Sequence, residues 1–194
     1  GLSVTYPLKG EAFRAAVSLD RRAELSGVVN TLLLTDAAGP RGFNTDIGGL
    51  AADIREHGVT QVDHARIVGA GATAASALIA LAELGAQEVE VVARRPEAIQ
   101  SLVSLGHLVG ASVTGVEPDA QSLTDVALTV SALPGNAVFA PERADALADV
   151  GGILYDVVYD PWPTVLAEAW ERHGRRTLNG AGMLLQQAVL QVRI

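Results

Sequence analysis

The chain of 194 residues contains no cysteine. That absence excludes disulfides, thiolate nucleophiles and cysteine-based metal centres, and leaves the redox compartment open. Aromatic residues make up only 4% against 49% hydrophobic residues in all, so a core must be filled mainly by Ala, Val and Leu. Positive charge is short as well: 14 Lys and Arg face 22 Asp and Glu, for a net charge of −8. So acidic a surface is a poor match for a phosphate backbone, and nucleic acid is not an expected partner. The most apolar stretch, Ala70 to Leu84, is interrupted by Gly, Thr, Ser and Glu and reads as a buried helix, not a membrane span. Nothing resembles a signal peptide, so a cytoplasmic protein without a membrane partner is expected. His57, His64, His107 and His173 have no ligand-like spacing, and no metal is expected.

Gly1 to Thr5 reads as a buried strand with no lead-in, so a further segment is expected upstream of it. Val28 to Thr35 meets the turn cluster Asp36 to Pro40 and then short Arg41 to Phe43, which suggests a hairpin. Thr45 or Asp46 can cap a helix through His57, with Ile47, Leu50, Ala51 and Ile54 on one face. Strands and helices alternate beyond. Strands are expected at 66–68, 88–93, 112–116, 126–132, 152–158 and 175–178. Helices are expected at 71–84, from Pro96 to Leu105, from Pro141, at 164–173 and from Gly180 to the end. Such alternation implies a parallel sheet covered on both faces.

The strongest local signal is Val68-Gly69-Ala70-Gly71-Ala72-Thr73-Ala74-Ala75, between a strand and a helix. Gly69 permits a tight turn and Gly71 a close approach of backbone to a pyrophosphate. The small residues after them let a helix N-terminus sit against that phosphate. The next strand ends Val92-Ala93-Arg94-Arg95, where a reader of NAD places an acid. Arginine there suits the 2′-phosphate of NADP; the plainer alternative is a solvated pair of arginines.

Five further segments match one family in order and spacing: Gly1-Leu2-Ser3-Val4-Thr5-Tyr6-Pro7-Leu8-Lys9, Gly27-Val28-Val29-Asn30-Thr31, Phe43-Asn44-Thr45-Asp46, Tyr155 to Thr164, and Gly180 to Ala188. Together they resemble shikimate dehydrogenase. The resemblance implies an α/β fold of two lobes: a partial substrate lobe, 1–45, completed by the C-terminal helix 180–194, and a doubly wound, Rossmann-like NADP lobe, 46–179. It implies reversible, NADP-dependent reduction of 3-dehydroshikimate to shikimate, with Lys9 as the acid–base group and Asp46 as its partner. Ser3, Thr5, Asn30, Tyr159 and Gln187 are implied on the substrate, with Lys9 and Asp46. Thr45, Gly69, Ala70, Gly71, Ala72, Thr73, Ala93, Arg94, Arg95, Val157, Gly180 and Met183 are implied on the cofactor. A monomer or homodimer fits this scheme.

Each assignment has a plainer alternative. A lone Lys is ordinarily surface charge, Asn30 before Thr31 ordinary turn chemistry, Gln187 a solvated helix residue, and Met183 core packing. Ser3 stands where many relatives have Asn, Ser131-Ala132-Leu133-Pro134 departs from the family's usual strand end, and the family's S-x-S pair is absent from this sequence. The rival readings are a quinate or quinate/shikimate dehydrogenase using NAD, and a catalytically silent NADP-binding regulator on the same scaffold.

Overall fold

The computed structural model describes all residues except Tyr6, Thr35, Asp36 and 118–122. Its larger sheet is built from short runs of β-branched and apolar residues: β5 (His64–Val68), β6 (Glu88–Val92), β7 (Ser112–Val116), β8 (Leu128–Ser131), β9 (Ile153–Asp156) and β10 (Thr177–Leu178). All pairings are parallel, in the order β10-β9-β8-β5-β6-β7. Counted from β5, the chain moves out to one side through β6 and β7, then returns to the other side of β5 for β8, β9 and β10. That is the doubly wound order of dinucleotide-binding folds.

Both faces are covered, as period-2 alternation requires. Ile67 and Val91 join the core under α4 (Ala72–Glu83) and α5 (Pro96–Val109). Val68 and Val92 turn to the opposite core, with α6 (Pro141–Asp149) and α7 (Val165–Arg172). Pro96 and Pro141 open their helices as expected, and Gly110, at φ 78°, closes α5.

A smaller sheet has the order β1-β3-β4-β2, from β1 (Leu2–Ser3), β2 (Ser18–Leu19), β3 (Thr31–Leu33) and β4 (Arg41–Phe43). The hairpin is present: β3 and β4 are antiparallel, with Thr31 opposite Phe43 and Leu33 opposite Arg41. The paired strand is shorter than the Val28–Thr35 run, because Val28 and Val29 lie before it and Thr35 is outside the described residues. Helices α1 (Lys9–Ala15) and α2 (Arg21–Ser26) fill a region for which the sequence pattern suggested no element. Asp20 caps α2 through the Ala23 N–H, and Gly27 ends it at φ 65°.

Two expectations are corrected. Gly1 to Thr5 is not a buried strand: only Leu2–Ser3 pair, at the sheet's edge and with β3 alone, which leaves Leu2 52% exposed. Nor does Thr45 or Asp46 cap the next helix. Asn44 does, its Oδ1 accepting the Asp46 N–H at 3.1 Å. That helix, α3 (Thr45–Glu56), therefore starts at Thr45 and frees the Thr45 and Asp46 side chains for other contacts. It packs along α8 (Ala181–Val192) and against α4.

Candidate active site

Lys9, Asn30 and Gln187, far apart in sequence, gather around Thr45 and Asp46. Lys9 opens α1, and its Nζ donates to Asp46 Oδ2 at 2.6 Å, both side chains largely withdrawn from solvent. Asn30 ends the loop before β3 and donates from Nδ2 to Asp46 Oδ1 at 2.8 Å. The orientation of that amide follows from its other contacts, since Oδ1 accepts the Thr45 N–H at 2.9 Å and the Thr31 hydroxyl at 2.9 Å. On α8, Gln187 brings Oε1 within 3.4 Å of Asn30 Nδ2 and 3.3 Å of Thr45 Oγ1. An ammonium, a carboxylate and two amides thus share one small polar cluster. The plain readings of Lys9, Asn30 and Gln187 as surface or turn residues do not describe what they touch.

Close packing holds α8 in place. A Cβ on Gly49 of α3 would come within 2.7 Å of the Gln187 backbone N, so only Gly permits this approach. Asn44 ties α2 and α4 to the start of α3 by donating to Ser26 Oγ at 2.9 Å and Ser76 Oγ at 3.0 Å.

The glycine loop has the geometry its sequence suggests. Gly69 sits at φ 111°, a conformation open to Gly, and donates its N–H to Val92 O at 2.9 Å. Gly71 is the N-cap of α4, has no side-chain cap, and a Cβ there would meet nothing within 4 Å. Uncapped N–H groups of α4 therefore face open space. A cavity of about 440 Å³ lies there, with Ala70, Gly71, Ala75 and Arg95 in its wall and Leu25 and Ser26 opposite. Ala72 is exposed and Thr73 half-buried at the same helix end, and Ala93 is half-buried beside exposed Arg94 and Arg95.

Sequence comparison supplies the context. No protein-family model matches the chain. A curated shikimate dehydrogenase (NADP(+)) from Bordetella petrii is 35% identical over 97% of this chain and 68% of its own length. The crystal structure of Mycobacterium tuberculosis shikimate dehydrogenase is 39% identical, with a TM-score of 0.88 over 98% of this chain and 71% of that one. The chain belongs to the shikimate dehydrogenase family. A quinate dehydrogenase from Corynebacterium glutamicum, solved in complex with NAD, is more distant in sequence, at 27% identity, with a TM-score of 0.83 over 99% of this chain and 71% of that one.

The remaining residues singled out on the resemblance to shikimate dehydrogenase are placed unevenly. Thr45, implied on the cofactor, is buried against Asn30 and Gln187. Val157 and Gly180 touch: a Cβ on Gly180 would strike the Val157 carbonyl, and Gly180 N–H donates to Val158 O at 3.2 Å. Met183 is buried in the main core. Ser3, Thr5 and Tyr159 are exposed, and their side chains make no hydrogen bond among the described residues. Ser131 is buried beside Asp156, and the two line one cavity.

Asp156 is the residue the motif reading passed over. It is buried, and its oxygens accept the Val158 N–H at 3.1 Å and the Thr164 hydroxyl at 2.7 Å, pinning the segment that carries Tyr159. Burial pushes its pKa up, against the pull of its hydrogen bonds, that from Thr164 first. The signal was present in the D-x-x-Y-x-P-x-x-T spacing, whose first and last members are this bonded pair. Among the described residues no helix is long and apolar enough to cross a membrane, and no cluster of three His, Cys, Asp or Glu could hold a metal.

Proposed function

We propose that this protein catalyses the NADP-dependent, reversible reduction of 3-dehydroshikimate to shikimate. The observation that carries the reading is the 2.6 Å contact of Lys9 with Asp46, ringed by Asn30 and Gln187. Reducing a ketone creates an alkoxide, which must be stabilised and protonated as it forms. Lys9 is the donor: its ammonium faces the carbonyl oxygen, lowers the cost of the developing charge and passes it a proton. In the reverse direction Lys9, as the amine, takes the proton of the alcohol. Asp46 orients Lys9 and accepts from a hydroxyl of the ring. Asn30 and Gln187 bond further ring hydroxyls, and Ser3, Thr5 and Tyr159, exposed now, complete the substrate's polar shell.

The residues present fit NADP. The uncapped N-terminus of α4, open at Gly71, suits a pyrophosphate. Arg94 and Arg95 supply the charge a 2′-phosphate needs, where an acid would favour NAD. Gly69, Ala70, Ala72, Thr73 and Ala93 shape the approach, and Thr45, Val157, Gly180 and Met183 border the nicotinamide end. When bound, the cofactor supplies or accepts the hydride. On this reading the substrate lobe is 1–45 with 180–194 and the NADP lobe 46–179. The protein works in the cytoplasm as a monomer or homodimer.

Initial rates with shikimate or quinate, each with NADP or NAD, test the proposal. The shikimate–NADP pair should be fastest by roughly tenfold or more, as two charge-assisted bonds to one phosphate allow. Faster turnover with NAD, or with quinate, refutes it.

A further inference from the structure

The α3–α8 packing contains a buried polar pair that the reaction scheme does not use. Asp53 on α3 is 3% exposed and Tyr155 on β9 is fully buried; the phenol donates to Asp53 Oδ2 at 2.5 Å. The backbone of Met183, in the first turn of α8, lies close enough to act on the same phenol. Asp53 also lies so close to Gly182 that a Cβ there would overlap its carboxylate. Gly180, the N-cap of α8, has no side chain to cap with, and Asn179 Oδ1 accepts the Ala181 N–H at 3.1 Å. The start of α8 is thus held from outside, by a phenol and a carboxylate on two other elements.

Asp53 stands seven residues after Asp46, and so on the same face of α3, about two turns along. Between them, Gly49 meets Gln187. Helix α8 runs antiparallel to α3, with Leu190 over Gly48 and Gln187 over Gly49 near Asp46, and Gly182 over Asp53 further along. The helix that carries Gln187, Met183 and Gly180 therefore has its axial position fixed against the carboxylate that holds Lys9.

We propose that Tyr155 and Asp53 are positioning residues that set the register of α8 against α3, and thereby the distance between the nicotinamide end of the site and the Lys9–Asp46 pair. This rests on the function proposed above. Neither residue touches substrate. Hydride transfer is steep in distance, and a misplacement of about 1 Å can cost on the order of 100-fold. Burying a carboxylate and a phenol together is justified by the fixed geometry the pair gives the first turn of α8.

The test is Tyr155→Phe, which keeps the ring and removes the hydroxyl, assayed with shikimate and NADP beside the parent. We expect kcat to fall about 10- to 100-fold, with the Kd for NADP within about threefold, and a larger isotope effect with shikimate deuterated at the carbon that gives up the hydride. Asp53→Asn, which keeps an acceptor for the phenol, should stay within about threefold of the parent. Asp53→Ala should fall as Tyr155→Phe does, and the double variant no further, because both break one joint. A folded Tyr155→Phe with parental kcat and isotope effect overturns the inference. Should Tyr155→Phe fail to fold, Gly182→Ala takes its place: its added Cβ pushes on Asp53, and parental kcat there is equally fatal. A parent without shikimate-dependent reduction of NADP refutes the proposed function instead, so the two failures are distinct.

Discussion

Arg66 is fully buried in the middle of β5, where a strand arginine would ordinarily be read as solvent-facing. Its partner is directly across the ladder: Arg66 is in register with Glu90 on β6, and Nε meets Oε2 at 2.5 Å, while Nη2 donates to the Thr124 carbonyl at 2.5 Å. The pair could not be seen in the sequence, because 24 residues separate its members and only the parallel register joins them. Removing one partner leaves a charge stranded in the sheet, so Glu90→Ala should lower unfolding free energy by about 3–5 kcal/mol in denaturant titration. Arg94 and Arg95 are the opposite case, legible at once because an acid is missing from their place. Replacing both with Ala should raise KM for NADP by roughly 10- to 100-fold and leave KM for NAD nearly unchanged. Asp156 gives a pH signature. Burial raises its folded pKa above the ordinary 3.8, so the folded chain holds this proton more tightly than the unfolded one. Its contribution to stability is therefore full below that ordinary value and declines as pH rises through the raised one. Asp156→Asn should lose that part of the dependence in thermal melts across the acid range.

At the scale of elements, periodicity found the helices and missed their caps. The apolar spacing of Ile47, Leu50, Ala51 and Ile54 locates α3, and all four are buried. It does not say which of Asn44, Thr45 and Asp46 caps the helix. The answer depends on Asn30 and Lys9, which draw the Thr45 and Asp46 side chains away and leave the cap to Asn44. Asn44→Ala should cost about 1 kcal/mol as a lost cap and more for the buried Ser76 hydroxyl left without its donor, visible as a lower midpoint of denaturation. Helices α1 and α2 were illegible for a different reason. At 7 and 6 residues they are too short for a periodic stripe, and α2 is set largely by Asp20 before it and Gly27 after it.

Across the whole molecule, alternating strands and helices were enough to give a parallel sheet covered on both faces, because each β-branched run fits only between two covered faces. The smaller sheet was less legible. Its strands are two or three residues long, and Leu2–Ser3 lie at an edge, where hydrophobic residues need not be buried. The polar cluster was readable only through matched segments: nothing in local chemistry links Lys9, Asn30, Asp46 and Gln187. The fold brings them together by crossing α8 back over α3, and the two glycine contacts at Gly49 and Gly182 make that crossing close enough for Gln187 to reach Asn30. The most direct test of the account is the single-turnover rate of Lys9→Ala at saturating NADP and shikimate. Loss of a positioned proton donor should slow it by about 100- to 10,000-fold while NADP still binds. A rate within a few-fold of the parent would contradict the assignment of Lys9 as the acid–base group.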